Sequence, residues 1–243
     1  MWYKYTFLVI AITGLSENRN SMDLQTVGKI DFQKLELDSC DDTAYRVLLT
    51  RMEKRRKAFR ISYSKATNRT FVLDSCRTYL RVCMFDSMFY FWENTLWGFY
   101  GTTEKPRCGE IACGYFVTTL LRDAGFQIPR VRWAEVASET FIREFCNNTV
   151  FHQIGKETVD VMGWIRKQKP QYFLVGLDTH VGIIEKRDTA VNFIHSAYFI
   201  QADGVTRETA SGPNPFALSH YKVFGELLSD AQVKAWIMKS EYK

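Results

Sequence analysis

The sequence contains no C-x-x-C pair, no H-E-x-x-H and no histidine-glutamate motif followed by a cysteine pair. Without those ligand spacings neither a metal site nor any other cofactor is expected. No segment after the first fifteen residues is long and apolar enough to cross a bilayer, which excludes a polytopic membrane protein and a stable membrane span. Internal repeats, low-complexity tracts and long linkers are absent, which excludes collagen and coiled coil. Charge of one sign is also in short supply. Against 32 Lys and Arg stand 27 Asp and Glu, a formal net charge of +5. A nucleic-acid binder carries a stronger and more clustered excess, so no nucleic-acid partner is expected. The basic cluster Arg51, Lys54, Arg55, Arg56 and Lys57 reads as a solvated helix face, with contact to an anionic polymer or membrane as the alternative.

What remains has the composition of a globular protein, 46% hydrophobic and 24% charged over 243 residues. That length suits one large domain, or a small one with a substantial extension, and buries a core without disulfide staples. Aromatic residues make up 15%, enough to wall a cleft.

At the N-terminus Lys4 precedes an apolar run from Tyr5 to Leu15. The run is too short to span a bilayer and fits the core of an export signal, although only Ala11 and Thr13 approach a small-x-small cleavage site. Residues 1–20 are therefore expected to be a signal peptide, and the chain periplasmic or secreted. A buried N-terminal strand or helix is the other reading. Six cysteines, Cys40, Cys76, Cys83, Cys108, Cys113 and Cys146, suggest disulfides in an exported chain, with the pairing left open. Cys76 and Cys83 are poor partners. On one helix they are separated by about 10.5 Å of rise, beyond the reach of a disulfide.

Apolar spacing predicts helices over residues 41–62, 70–94, 113–124, 133–145, 157–167 and 230–239. Gly125 stops the third and Ser229 caps the last. Beyond Pro170 the period becomes strand-like, over residues 172–177, 180–185, 190–197 and 221–226. Helices first and strands later predict an α+β fold, with helices packed on an antiparallel sheet.

Cys113 heads the helix whose buried stripe continues through Phe116, Val117, Leu120 and Leu121. Unpaired N–H groups and the positive dipole end of that helix favour a thiolate and could hold an oxyanion. A small buried cysteine filling a gap is the plain alternative. Gly114 is expected to leave the thiol open to a substrate. His180 opens one predicted strand and His195 closes the next. If Arg187 and Asp188 form a two-residue turn, the two histidines face each other directly, with Cβ atoms about 5 Å apart. A register slip of one would separate their faces. Paired imidazoles suit a proton relay beside a thiol. Two satisfied sheet histidines, or half of a metal site with Cys113, are the alternatives. His152 and His220 read as surface or structural histidines.

The order of these segments, Trp97-Gly98-Phe99-Tyr100-Gly101, then Ala112-Cys113-Gly114-Tyr115-Phe116-Val117, then His180-Val181-Gly182-Ile183-Ile184, then Phe193-Ile194-His195-Ser196, resembles the NlpC-type papain-like cysteine peptidases and amidases of bacterial cell walls. It is similar, more distantly, to the CHAP amidases, and the whole also resembles uncharacterised exported proteins of Bacteroidetes-like bacteria. The resemblance covers roughly residues 92–200. It implies a papain-like hydrolase domain over 95–243; residues 21–94, outside the resemblance, read from their helical spacing as an N-terminal extension. Cys113 would be the nucleophile, His180 the general base and His195 the residue that orients it. Trp97, Phe99, Tyr100 and Gly114 would meet the substrate, a peptide or peptidoglycan fragment. This sequence departs from the family where Ala112 and Gly114 flank the cysteine in place of aspartate and serine, and where Trp97 falls near a family tyrosine. Two other functions stay open: a papain-like acyltransferase or transpeptidase, and an inactive protein that binds wall fragments.

Overall fold

A computed structural model describes residues 40–199 and 202–242. The expected export signal lies outside the described residues.

The chain begins with α1 (Thr43–Lys65) and α2 (Arg69–Arg81). The Asn68 side chain caps α2 by accepting from the Phe71 N–H. A π-helical segment (Val82–Met88) and α3 (Phe89–Trp92) continue it, so the predicted helix over 70–94 is one rod with a change of winding. The wider winding places Cys83, Met84, Phe85 and Met88 all inside. After a long loop come α4 (Cys113–Ala124), α5 (Arg130–Glu135) and α6 (Ser138–Phe145). The predicted helix over 133–145 is thus two, broken where Val136 and Ala137 take extended backbone conformations. Gly125 ends α4 with φ 107°, a conformation open to glycine at little cost.

The remaining elements are β1 (Val150–Ile154), α7 (Thr158–Lys167), β2 (Tyr172–Leu177), β3 (Val181–Arg187), β4 (Ala190–Phe199), β5 (Ala202–Thr209), α8 (Pro215–Leu218), β6 (Tyr221–Glu226) and α9 (Asp230–Met238). The six strands form one open sheet in the order β1-β6-β2-β3-β4-β5, every neighbouring pair antiparallel. The predicted α+β class is the observed one. Edge strands β1 and β5 were not expected. His152, read as lying outside any patterned element, sits in β1 and pairs with Glu139 at 3.1 Å.

Strand alternation assigns each side chain to one of two faces. On the first, Tyr172 stacks on Phe85 at 3.9 Å, and Gly176 and Gly225 leave room for Ser138 and Cys146. This face carries α4, α6 and the π-helical segment. On the second, Phe173, Val175, Phe193 and Phe224 form a core with Val161, Met162 and Ile165 of α7 and Phe216 of α8.

The described residues belong to one compact unit, and α1 and α2 pack directly on elements that lie beyond residue 94. Phe59 of α1 meets Trp236 of α9, the Tyr45 hydroxyl donates to Asp123 of α4, and Arg56 donates to the Ile237 carbonyl. Arg56, expected on a solvated face, is 3% exposed and paired with Glu53. Cys40 and Cys108 form a disulfide, while Cys76, Cys83, Cys113 and Cys146 are free. Among the described residues no helix is long and apolar enough to cross a membrane.

Candidate active site

The start of α4 is held from two sides. The loop over 95–103 wraps the residues before Cys113: Ile111 N–H donates to Leu96 O at 2.9 Å, and Ala112 N–H to Gly101 O at 2.8 Å. Gly101 permits this approach, because a Cβ there would lie 2.5 Å from the Ile111 nitrogen. From the sheet, Ser196 Oγ donates to Ile111 O at 2.7 Å. No side chain caps α4, so its first N–H groups are left for other partners.

Cys113 is half-buried. The N–H groups of Val181, Gly114 and Cys113 itself are directed at its sulfur and favour the thiolate. Burial outweighs them and pushes the thiol above its ordinary range. The predicted lowering is therefore reversed at rest, because the helix start is legible in sequence and the depth at which the fold buries it is not. The β3–β4 ladder ends at Ile183–Ile194, two residues short of Val181, and the Val181 N–H turns to the sulfur.

His180 immediately precedes Val181, but its ring turns to the sheet face of Phe193 and His195 while α4 packs on the other, so at rest the Cys113 sulfur meets the backbone of β3 and not the ring. The turn between β3 and β4 is Asp188-Thr189, with Arg187 paired to Ala190 and Asp188 at φ 50°. The expected turn at Arg187-Asp188 is off by one residue, and the pairing moves by two. His195 consequently stands beside Gly182 in the register and lies diagonal to His180 instead of opposite it. A shift of two preserves the face. The rings meet edge to face, with His180 Nε2 and His195 Nδ1 2.9 Å apart. On the far side, His195 Nε2 lies 2.8 Å from Glu208 Oε1. Phe193 stacks on His195 at 4.1 Å and seals it from water. His180 Nδ1 is buried without a hydrogen-bond partner, so the ring makes no hydrogen bond to Cys113 at rest. Burial and the neighbouring His195 hold His180 well below the ordinary imidazole value. Burial also lowers His195, against the hydrogen bond and charge of Glu208.

Glu208 was missed by sequence reasoning, which found no carboxylate to support the histidines. It enters through β5, where it pairs with Phe193 and so shares the His195 face. Beside His180 opens a cleft of about 130 Å³, lined by Leu177, Asp178, Tyr198, Pro215 and Leu218 among others. Asp178 fixes its rim by accepting from Ser219 Oγ and from the N–H groups of His220 and Tyr221.

The four residues expected to meet the substrate fall in different places. Trp97 is half-buried and packs on Tyr198 at 5.5 Å, next to the cleft. Phe99 and Tyr100 stand at the tip of the Gly98–Gly101 turn, 71% and 89% exposed, and are not part of the cleft lining. Gly114 is buried, and a Cβ there would lie 2.5 Å from the Ala134 carbonyl oxygen. Its missing side chain lets α4 and α5 pack and does not open the thiol, which corrects the expected role. Gly114→Ala is expected to lower stability by about 1–3 kcal/mol through overpacking against backbone, measurable by urea unfolding. An unchanged midpoint would show that α5 yields without cost.

Among the described residues no group of three or more His, Cys, Asp or Glu is arranged to hold a metal ion. Comparison with family models, curated proteins and solved structures found no match to this chain.

Proposed function

We propose that this chain is a papain-like cysteine hydrolase of the NlpC type, which opens an amide bond through a thioester on Cys113 and needs no cofactor. The observation that carries the proposal is a hydrogen-bonded run of three side chains, Glu208, His195 and His180, that ends in an unpartnered buried ring nitrogen. The sulfur of Cys113 lies at the backbone of the next residue.

In the reaction the Cys113 sulfur attacks the acyl carbon and its proton passes to His180. Uncapped N–H groups at the start of α4 hold the oxyanion. The His180 imidazolium then protonates the leaving amine, and water releases the acyl group from sulfur. Because the thiol is raised and His180 lowered, the resting pair is neutral, and proton transfer accompanies attack. The substrate class we propose is the peptidoglycan stem peptide, on the resemblance of the Cys113, His180 and His195 segments. Export fits the Cys40–Cys108 disulfide, a bond that persists in oxidising compartments.

One observation favours a second reading, an inactive protein that binds wall fragments: a raised thiol is what an idle cysteine shows. Incubation with stem peptides, followed by rapid acid quench and intact-mass measurement, separates the two. The hydrolase is expected to yield cleaved peptide and an acyl adduct on Cys113. Bound peptide, uncleaved and without adduct, would establish the binding reading.

A further inference from the structure

We infer that Glu208 is a positioning residue that sets the tautomer of both histidine rings and thereby leaves His180 Nδ1 as the ring nitrogen without a hydrogen. The inference rests on the proposed hydrolase reading for its consequence, but not for its geometry.

A carboxylate accepts hydrogen bonds and does not donate them. Glu208 Oε1 stands 2.8 Å from His195 Nε2, so that nitrogen carries the hydrogen. A neutral imidazole has one N–H, and both rings are neutral near pH 7 because burial lowers each. His195 Nδ1 therefore holds a lone pair. It lies 2.9 Å from His180 Nε2, which must donate to it. The hydrogen of His180 is thus committed to Nε2, and Nδ1 is left with its lone pair. That nitrogen is the one buried without a partner.

The opposite tautomers fail at both ends. They place a lone pair against the Glu208 oxygen, and they bury an N–H on His180 Nδ1 with no acceptor, each a costly arrangement. They also remove the base. Forming the S–C bond requires the thiol proton to leave, and an Nδ1 already bearing hydrogen cannot take it. On the proposed hydrolase reading, a bare Nδ1 takes the thiol proton once the substrate-bound sulfur is brought to it, the carbonyl electron pair moves to oxygen, and both existing ring hydrogens stay where they are. Glu208 touches neither substrate nor sulfur and acts only through the two rings.

The chain has four histidines, so ring nitrogen spectra are simple to assign with His180→Gln and His195→Gln references. Long-range ¹H–¹⁵N correlation on full-length ¹⁵N-labelled protein near pH 8 is expected to show His180 and His195 both as Nε2–H tautomers. Glu208→Gln, whose amide can donate as well as accept, is expected to give mixed tautomers at both rings. It should lower kcat by up to about 10²-fold with KM unchanged. His180 as the Nδ1–H tautomer in the wild type would overturn the inference, whether or not the variant folds. A folded Glu208→Gln with an unaltered ring spectrum would overturn it too. These spectra need no substrate. The assigned tautomers in a protein that cleaves no stem peptide would uphold the relay and remove only the hydrolase.

Discussion

Cys113→Ala is expected to lower kcat on a stem peptide by at least about 10⁴-fold, since loss of a nucleophile leaves only binding and oxyanion contacts to act. His180→Ala should cost about 10²–10⁴-fold, the usual contribution of a positioned acid-base group. The sulfur and the ring act as one unit, so the double variant should be little worse than Cys113→Ala alone. The pH dependence carries a separate signature. His180 is useful as a base only while neutral, and its value is held well below 6.5. Activity should persist on the acid side of 6.5 and fall only once the buried ring protonates. The Cys113 thiol is raised above 9.0, so alkylation without substrate should be slow at pH 7 and rise only in the alkaline range. A preformed thiolate-imidazolium pair would behave in the opposite way, with fast alkylation in mild acid. Cleavage that persists in Cys113→Ala would remove the proposed nucleophile. Fast alkylation below pH 7 would leave the nucleophile and remove the neutral resting pair.

The elements that carry these residues were partly legible in the sequence, and the reasons differ by residue. The start of α4 announces itself by a clean apolar stripe and a glycine stop at Gly125. The start of α9 does so by the reciprocal cap of Ser229 and Gln232. His180 and His195 share a face even though the predicted turn was displaced, because strand period forgives a shift of two and not of one. β5 gave no such signal. Arg207 turns to one face, where it pairs with the fully buried Glu185. Glu208 turns to the other, where it meets His195. Polar residues on both faces erase the alternation by which a strand is read. The same pairing that hides β5 in the sequence is what brings a carboxylate to the relay. Gly114 failed for another cause: its neighbour, Ala134, comes from a separate helix, and nothing local marks that contact.

Removing the Cys40–Cys108 disulfide is expected to produce the largest loss of stability, about 4 kcal/mol by the chain-entropy estimate for a 68-residue separation. The bond joins the residue just before α1 to the loop that leads into Cys113. It restrains the unfolded chain more than it shapes the site, because that loop has other anchors. The Arg107 guanidinium donates to the carbonyls of Tyr90 and Glu93, and its N–H to Thr95 Oγ1. Thr103 Oγ1 donates to Cys108 O at 2.6 Å, a bond that serine at 108 would keep. The Cys40→Ser, Cys108→Ser double variant should therefore unfold at much lower urea. In water at 25 °C it should keep Cys113 alkylation and any peptide cleavage close to the wild-type rate. A stability loss under about 1 kcal/mol would mean that the unfolded chain already holds these segments together. Loss of cleavage in a variant that remains folded would assign the disulfide to the site itself, with Arg107 too weak to hold the approach to α4 alone.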